Sequence, residues 1–169
     1  DGLGDWWVDP VKFPDGLGPL IAAVHSAGMQ FGIWVEPEMV NPESDLFAAH
    51  PEWIYAEAGR TPDQARGQYV LNLTLPAVQE FVLSTLDDLL TDNAIDYVKW
   101  DANRPMSQVG SQRDVWYAHI QALYDVVREI KHRHPGVLVE ACASGGGRID
   151  FGALSVFDDF WTSDNTDAR

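Results

Sequence analysis

The sequence predicts an α/β fold whose best match is an incomplete (β/α)8 TIM barrel, with roughly five to six of the eight strands in this segment. Three observations carry this. Strand-like apolar runs alternate with amphipathic helical stretches along the whole chain. The strand runs are nearly continuous in apolar residues, as expected of a parallel sheet covered by helices. Polar residues then follow almost every run: Glu36-Pro37-Glu38, Asn72, Asp101 and Asn103, Glu140 and Cys142, and Asp164. A doubly wound sheet also fits the alternation, but it would concentrate its ligand signal in one Gly-rich turn. Polar groups spread over many strand ends belong to the C-terminal mouth of a barrel.

In chain order, an apolar helix around Leu17 to Met29, with Gly28 near its end, precedes a buried strand at Phe31 to Glu36. Tyr69 to Leu73 reads as the second strand. Thr74 can cap the next helix and Pro76 fits its first turn. Val78, Phe81, Val82, Leu86, Leu89 and Leu90 keep helical spacing through it. Ile95 to Trp100 is the third strand. A helix from about Ser111 to His132 follows, opened by a capping box at Ser111 and Asp114. Its buried stripe is Trp116, Ile120, Leu123, Val127 and Ile130. Val137 to Ala141 is the fourth strand and Phe160 to Ser163 the fifth. A Gly-rich connection with about one helical turn separates those two.

Charge narrows the partners. With 26 acidic against 11 basic residues, the chain carries a formal charge of −15, so nucleic acid is repelled and no nucleic-acid partner is expected. No apolar run approaches a membrane span, and no membrane partner is expected. Cys142 is the one cysteine, which rules out an intrachain disulfide. Seven Trp supply flat apolar faces suited to sugar rings as well as to core packing. The chain opens without Met and stops within a strand-and-loop pattern, so an internal segment of a longer chain is expected, and no signal peptide is visible. A cytoplasmic location is the working expectation.

The densest chemical signal is Tyr97-Val-Lys-Trp-Asp-Ala-Asn-Arg104. Residues two apart in a strand share a face, so Lys99, Asp101 and Asn103 should converge at the strand end. The charge of Lys99 is expected to lower the pKa of Asp101 and keep it ionised, which suits a nucleophile. The alternative is a structural aspartate paired with Lys99. Asp164 and Asp167 offer a second carboxylate on another strand end, Asp164 being the better placed, against a reading of both as turn and cap residues. Two such carboxylates can flank a glycosidic bond, one attacking and the other protonating the leaving oxygen.

Cys142-Ala-Ser-Gly-Gly-Gly-Arg148 lacks the GxxxxGK[ST] form of a phosphate loop. Its glycines should let backbone approach a ligand, with Cys142 lining the pocket. Glu36-Pro37-Glu38 reads as loop-shaping, its carboxylates bonded to backbone. Trp34 is a pocket wall or core residue, and Arg66 a donor to ligand hydroxyls or a solvated charge. The histidines fall away from predicted strand ends and in no ligand spacing, so no metal and no cofactor are expected.

Four segments in this order and spacing, Phe31-Gly-Ile-Trp-Val-Glu-Pro-Glu-Met39, the Tyr97–Arg104 run, Glu140-Ala-Cys-Ala-Ser-Gly-Gly-Gly-Arg148 and Trp161-Thr-Ser-Asp-Asn-Thr-Asp167, resemble the α-galactosidases of glycoside hydrolase family 36, the melibiases and raffinases. The similarity runs from about Leu3 to Arg169. It implies a (β/α)8 barrel, metal-free retaining cleavage of terminal α-linked galactose, and a galactose-containing oligosaccharide such as melibiose or raffinose as partner. By the resemblance Asp101 matches the nucleophile and Asp164 the general acid/base, with Asp167 as the alternative. Trp34, Arg66, Lys99, Asn103, Cys142 and Gly145 match positions that contact galactose or shape its pocket, and Asp167 joins them. The family usually carries CSGGGGR where this chain has CASGGGR. Its upstream Asp-Asp-Gly-Trp-Phe strand, its β-sandwich domains and its last barrel strand are not in this sequence. Residues 1–169 are therefore expected to be a partial catalytic domain, nearly inactive alone, from a parent enzyme whose assembly as a homo-oligomer stays open. A transglycosylating relative, a non-catalytic sugar-binding barrel and a metal-dependent hydrolase are the rival readings.

Overall fold

Each strand of the main sheet has two unlike faces, and this division positions everything else. The computed structural model describes residues 2–110 and 113–165. Its elements are α1 (Gly18–Ser26), β1 (Gly32–Val35), β2 (Met39–Val40), α2 (Asp45–Ala49), β3 (Tyr69–Val70), α3 (Pro76–Asp92), β4 (Tyr97–Trp100), α4 (Val115–Arg133), β5 (Leu138–Ala141) and β6 (Asp159–Phe160). Strands β1, β4, β5 and β6 form one parallel sheet in that order, with α3 and α4 among the connections.

Val98 and Trp100 of β4, Val35 of β1 and Val139 of β5 are buried in one cluster with Val78, Val82, Leu86 and Leu90 of α3 and Leu123, Val127 and Ile130 of α4. The opposite face is polar. Cross-strand register lines up Trp34, Lys99, Glu140 and Asp159 in one row across the four strands. The continuous core is on the face under the helices, and the row of Lys99, Glu140 and Asp159 is on the other.

The stretch Tyr69 to Leu73 is not a strand of the parallel sheet. Tyr69–Val70 pairs antiparallel with Met39–Val40 in a separate two-stranded ribbon, and β1 bonds directly to β4. Its apolar side chains are buried as a core strand's would be (Val70, Leu71 and Leu73), so composition could not separate the two cases. Helix α3 begins at Pro76 with Leu75 at its N-cap, without the expected cap from Thr74. The Thr74 hydroxyl instead donates to Asn72 Oδ1, while Gln79 Nε2 donates to the Leu73 carbonyl.

Helix α4 starts at Val115 with Asp114 in a left-handed conformation (φ 60) and no side-chain cap, so Asp114 does not complete a capping box. Ser111 lies outside the described residues. In the predicted stripe, Leu123, Val127 and Ile130 are buried and Ile120 partly so, but Trp116 is exposed. Val115, His119, Ala122, Tyr124 and Val126 are buried in its stead. The fifth strand is Asp159–Phe160, earlier than expected, and the connection before it holds a 3-10 turn at Ala153–Ser155. No helix among the described residues is long and apolar enough to cross a membrane.

Leu123 sits on α4 at the centre of the helix–sheet core with 1% exposure. Leu123→Ala is expected to cost about 2–5 kcal/mol, measured by urea denaturation of the folded protein.

Candidate active site

Asp101 follows β4 directly, its N–H extending the sheet by donating to Val35 O at 2.8 Å. The side chain is buried, which would push its carboxyl towards the neutral form. Donors prevail over that penalty. Trp34 Nε1 (3.0 Å) and Asn103 Nδ2 (2.7 Å) both donate to Oδ2, and the Ala102 N–H donates to Oδ1 at 2.8 Å. The Cys142 thiol adds a further hydrogen bond. Together they hold Asp101 below the ordinary carboxylate range, so it is ionised at neutral pH.

The expected direction is right and the expected cause is not. Lys99 Nζ pairs with Glu140 Oε1 at 3.7 Å and lies 3.7 Å above the Trp161 ring, while hydrogen bonds depress Asp101. Burial, with the Asp101 charge adding to it, pushes the Cys142 thiol up to about 11. It is a neutral donor lining the site rather than a nucleophile.

Asp164 lies on the segment after β6, exposed, with Oδ1 accepting from Trp161 Nε1 at 2.9 Å. The Gly-rich loop packs against this segment. A Cβ on Gly145 would come within 3.1 Å of Ser163 Cα and 3.2 Å of Asp164 N, and one on Gly146 within 2.8 Å of Thr162 O. The backbone that these two glycines approach is the Thr162–Asp164 segment. Ser144 has φ 48 in the same turn and donates to Asn103 Oδ1 at 3.3 Å. It stands where the resembling family has a glycine in CSGGGGR. Asp167 lies outside the described residues.

Beneath the site, the two glutamates flanking Pro37 have different jobs. Glu36 accepts the Asn103 N–H on Oε1 and Gln68 Nε2 on Oε2, fixing the turn that aims Asn103 at Asp101. Burial raises the Glu36 carboxyl above its usual range. Glu38 is bonded to side chains, contrary to expectation. It takes Trp100 Nε1 at 2.8 Å, His119 Nε2 at 2.9 Å and Arg148 Nη1 at 2.9 Å. Burial opposes its charge, but Arg148 and His119 prevail and bring its carboxyl down to about 2. His119 also meets the Tyr55 hydroxyl at 3.0 Å.

This network escaped sequence reasoning, because His119 and Tyr55 come from distant segments and carry no motif. The only signal was a histidine on the apolar side of a helix. Arg66 stands apart, exposed at a tight turn with Gly67, both at positive φ. A cavity of about 400 Å³ opens beside Asn103 and Ser144, walled by Met39, Val70, Met106 and Trp116, and neither Asp101 nor Asp164 lines it.

The chain is thus an α/β domain with one carboxylate cradled by donors at a strand end and a second on the segment beyond a parallel strand. The melibiase family model matches residues 1–169. The chain is 48% identical over 167 residues to the α-galactosidase of Escherichia coli and 44% identical over 172 residues to α-galactosidase 2 of Pediococcus pentosaceus. Each alignment covers 98% of this chain and 24% of the relative. The solved α-galactosidase AgaA of Geobacillus stearothermophilus superposes with a TM-score of 0.94 at 42% identity, over 98% of this chain and 24% of that one. Variants of AgaA have been solved with raffinose and with stachyose. The chain belongs to the melibiase family. It spans about a quarter of the length of these relatives.

The Glu38 carboxyl, near 4.5 unfolded and about 2 folded, contributes stability that is complete above the unfolded value and lost as pH falls towards the folded one. Glu38→Gln is expected to cost about 3–5 kcal/mol at neutral pH. It should also flatten the loss of stability between pH 4.5 and about 2, both effects being read from urea denaturation at a series of pH values.

Proposed function

We propose that this chain is part of the catalytic domain of a retaining α-galactosidase that removes terminal α-linked galactose from oligosaccharides such as melibiose and raffinose. The single observation that carries the reading is the donor cradle of Trp34, Asn103 and Cys142 that keeps Asp101 ionised at a strand end. The raffinose and stachyose complexes of AgaA support the substrate class. In the same reading the parallel sheet is a portion of a (β/α)8 barrel, with its polar face towards the barrel axis and the family's β-sandwich domains outside this segment.

The mechanism follows from the two carboxylates. An oxygen of Asp101 attacks the anomeric carbon as the glycosidic bond breaks. Asp164, protonated, gives its proton to the departing oxygen. In the second step the same carboxylate takes a proton from water, which attacks the anomeric carbon and releases Asp101. Two inversions give net retention. Such a pair should stand about 5–5.5 Å apart. The charge-assisted bonds from Trp34 and Asn103 fix the attacking atom in one direction, and so contribute orientation rather than added basicity.

In the full-length protein, Asp101→Asn is expected to lower kcat on p-nitrophenyl α-galactoside by roughly 10³-fold or more, because the nucleophile is removed. Asp164→Asn should reduce raffinose hydrolysis by about 10²–10⁴-fold. It should harm p-nitrophenyl α-galactoside less, because p-nitrophenolate leaves without a proton. Proton NMR of the first-formed product should show α-galactose. A β product, or full activity in Asp101→Asn, rules out the assignment.

A further inference from the structure

Glu140 carries no role so far, yet it is a buried carboxylate in the polar row of the sheet. Its side chain is 9% exposed. It lies in register with Lys99 on one side and Asp159 on the other, so all three project from the same face. Its two oxygens have separate partners: Oε2 accepts from the Tyr97 hydroxyl at 2.7 Å, and Oε1 faces Lys99 Nζ at 3.7 Å. The Tyr97 hydroxyl, held in its protonated form by burial and by the Glu140 charge, also reaches Asp159 Oδ2 at 3.3 Å.

Lys99 is the cation among these acids, and its ammonium rests on the face of Trp161. The edge of that same indole donates to Asp164. One chain of contacts thus runs from Tyr97 through Glu140, Lys99 and Trp161 to the second carboxylate of the site. Asp101 is not in it.

We propose that Glu140 is a positioning residue: it pins the Lys99 ammonium against Trp161, so that Lys99 meets the sugar in a fixed place and Trp161 keeps its edge towards Asp164. The inference rests on the galactosidase reading for its substrate. A lysine side chain has four flexible bonds and much rotamer freedom to lose on binding. An ion pair formed beforehand removes that loss from the binding step. Glu140 needs the pair as much as Lys99 does, since a buried carboxylate without a partner is costly. Tyr97 fixes the carboxylate plane, which leaves Oε1 as the oxygen aimed at Lys99.

The test uses the full-length protein with Glu140→Gln, which keeps the shape and an acceptor for Tyr97 but removes the charge. A lysine contact made equally in ground and transition states should show in KM. The KM for p-nitrophenyl α-galactoside is expected to rise about tenfold while kcat changes by less than about threefold. Acylation of Lys99 by an activated ester, followed by peptide mass spectrometry, should quicken about fivefold as the amine is released. Tyr97→Phe should move both readouts the same way by smaller factors, and it serves if Glu140→Gln does not fold. Unchanged KM and unchanged Lys99 labelling in a folded variant overturn the proposal, as does a fall confined to kcat. A wild-type protein that turns over no α-galactoside overturns the galactosidase reading instead, and Lys99 labelling in the variants then decides the positioning role.

Discussion

The buried carboxylate of Glu38 is the constraint on which the rest of the site depends. It leaves β1, receives the indole of Trp100 from β4 and the imidazole of His119 from α4, and holds Arg148 at the end of the Gly-rich loop. A charge in that position is tolerable only if it is paired and both oxygens are hydrogen-bonded, and the three donors meet that condition. Strand, helix and loop are consequently locked to a common point. With Arg148 anchored, the Gly145–Gly146 turn can press against Thr162–Asp164, and the second carboxylate inherits its location from the first layer of packing below.

Above this layer the chemistry is built by short-range donors on a rigid strand end. Asp101 obtains its ionised state from Trp34, Cys142, Asn103 and the backbone rather than from the adjacent cation. Lys99 is engaged by Glu140 and Trp161 on the other side. Two electrostatic systems therefore share one face of the sheet without merging. One supplies a charged oxygen and the other a fixed ammonium.

Much of this was legible in the sequence where the signal was local. The strand cores at 32–35, 97–100 and 138–141 lie within the predicted runs, and Asn103 does meet Asp101 as a spacing of two requires. Legibility failed where distant segments decide. Tyr69–Val70 is as apolar as a parallel strand, and only its pairing with Met39–Val40 places it elsewhere. Thr74 has the chemistry of a cap, but Asn72 competes for its hydroxyl and the helix begins later. The packing of Gly145 and Gly146 on Thr162–Asp164 joins segments that sequence spacing does not connect. The partners of Glu38 lie as far as 110 residues along the chain, beyond any pattern of spacing.

Arg66 carries a consequence of a different kind. It occupies a left-handed turn position (φ 57) next to Gly67 (φ 68), where glycine or asparagine would fit without strain. A non-glycine residue held there costs on the order of 1 kcal/mol. Arg66 makes no hydrogen bond or ion pair with any described residue. The fold gains nothing visible from the guanidinium and loses some backbone comfort by keeping it. Stability and use are therefore separable at this one residue: a glycine here would relax the turn, and whatever the protein lost in exchange would measure what the arginine is for.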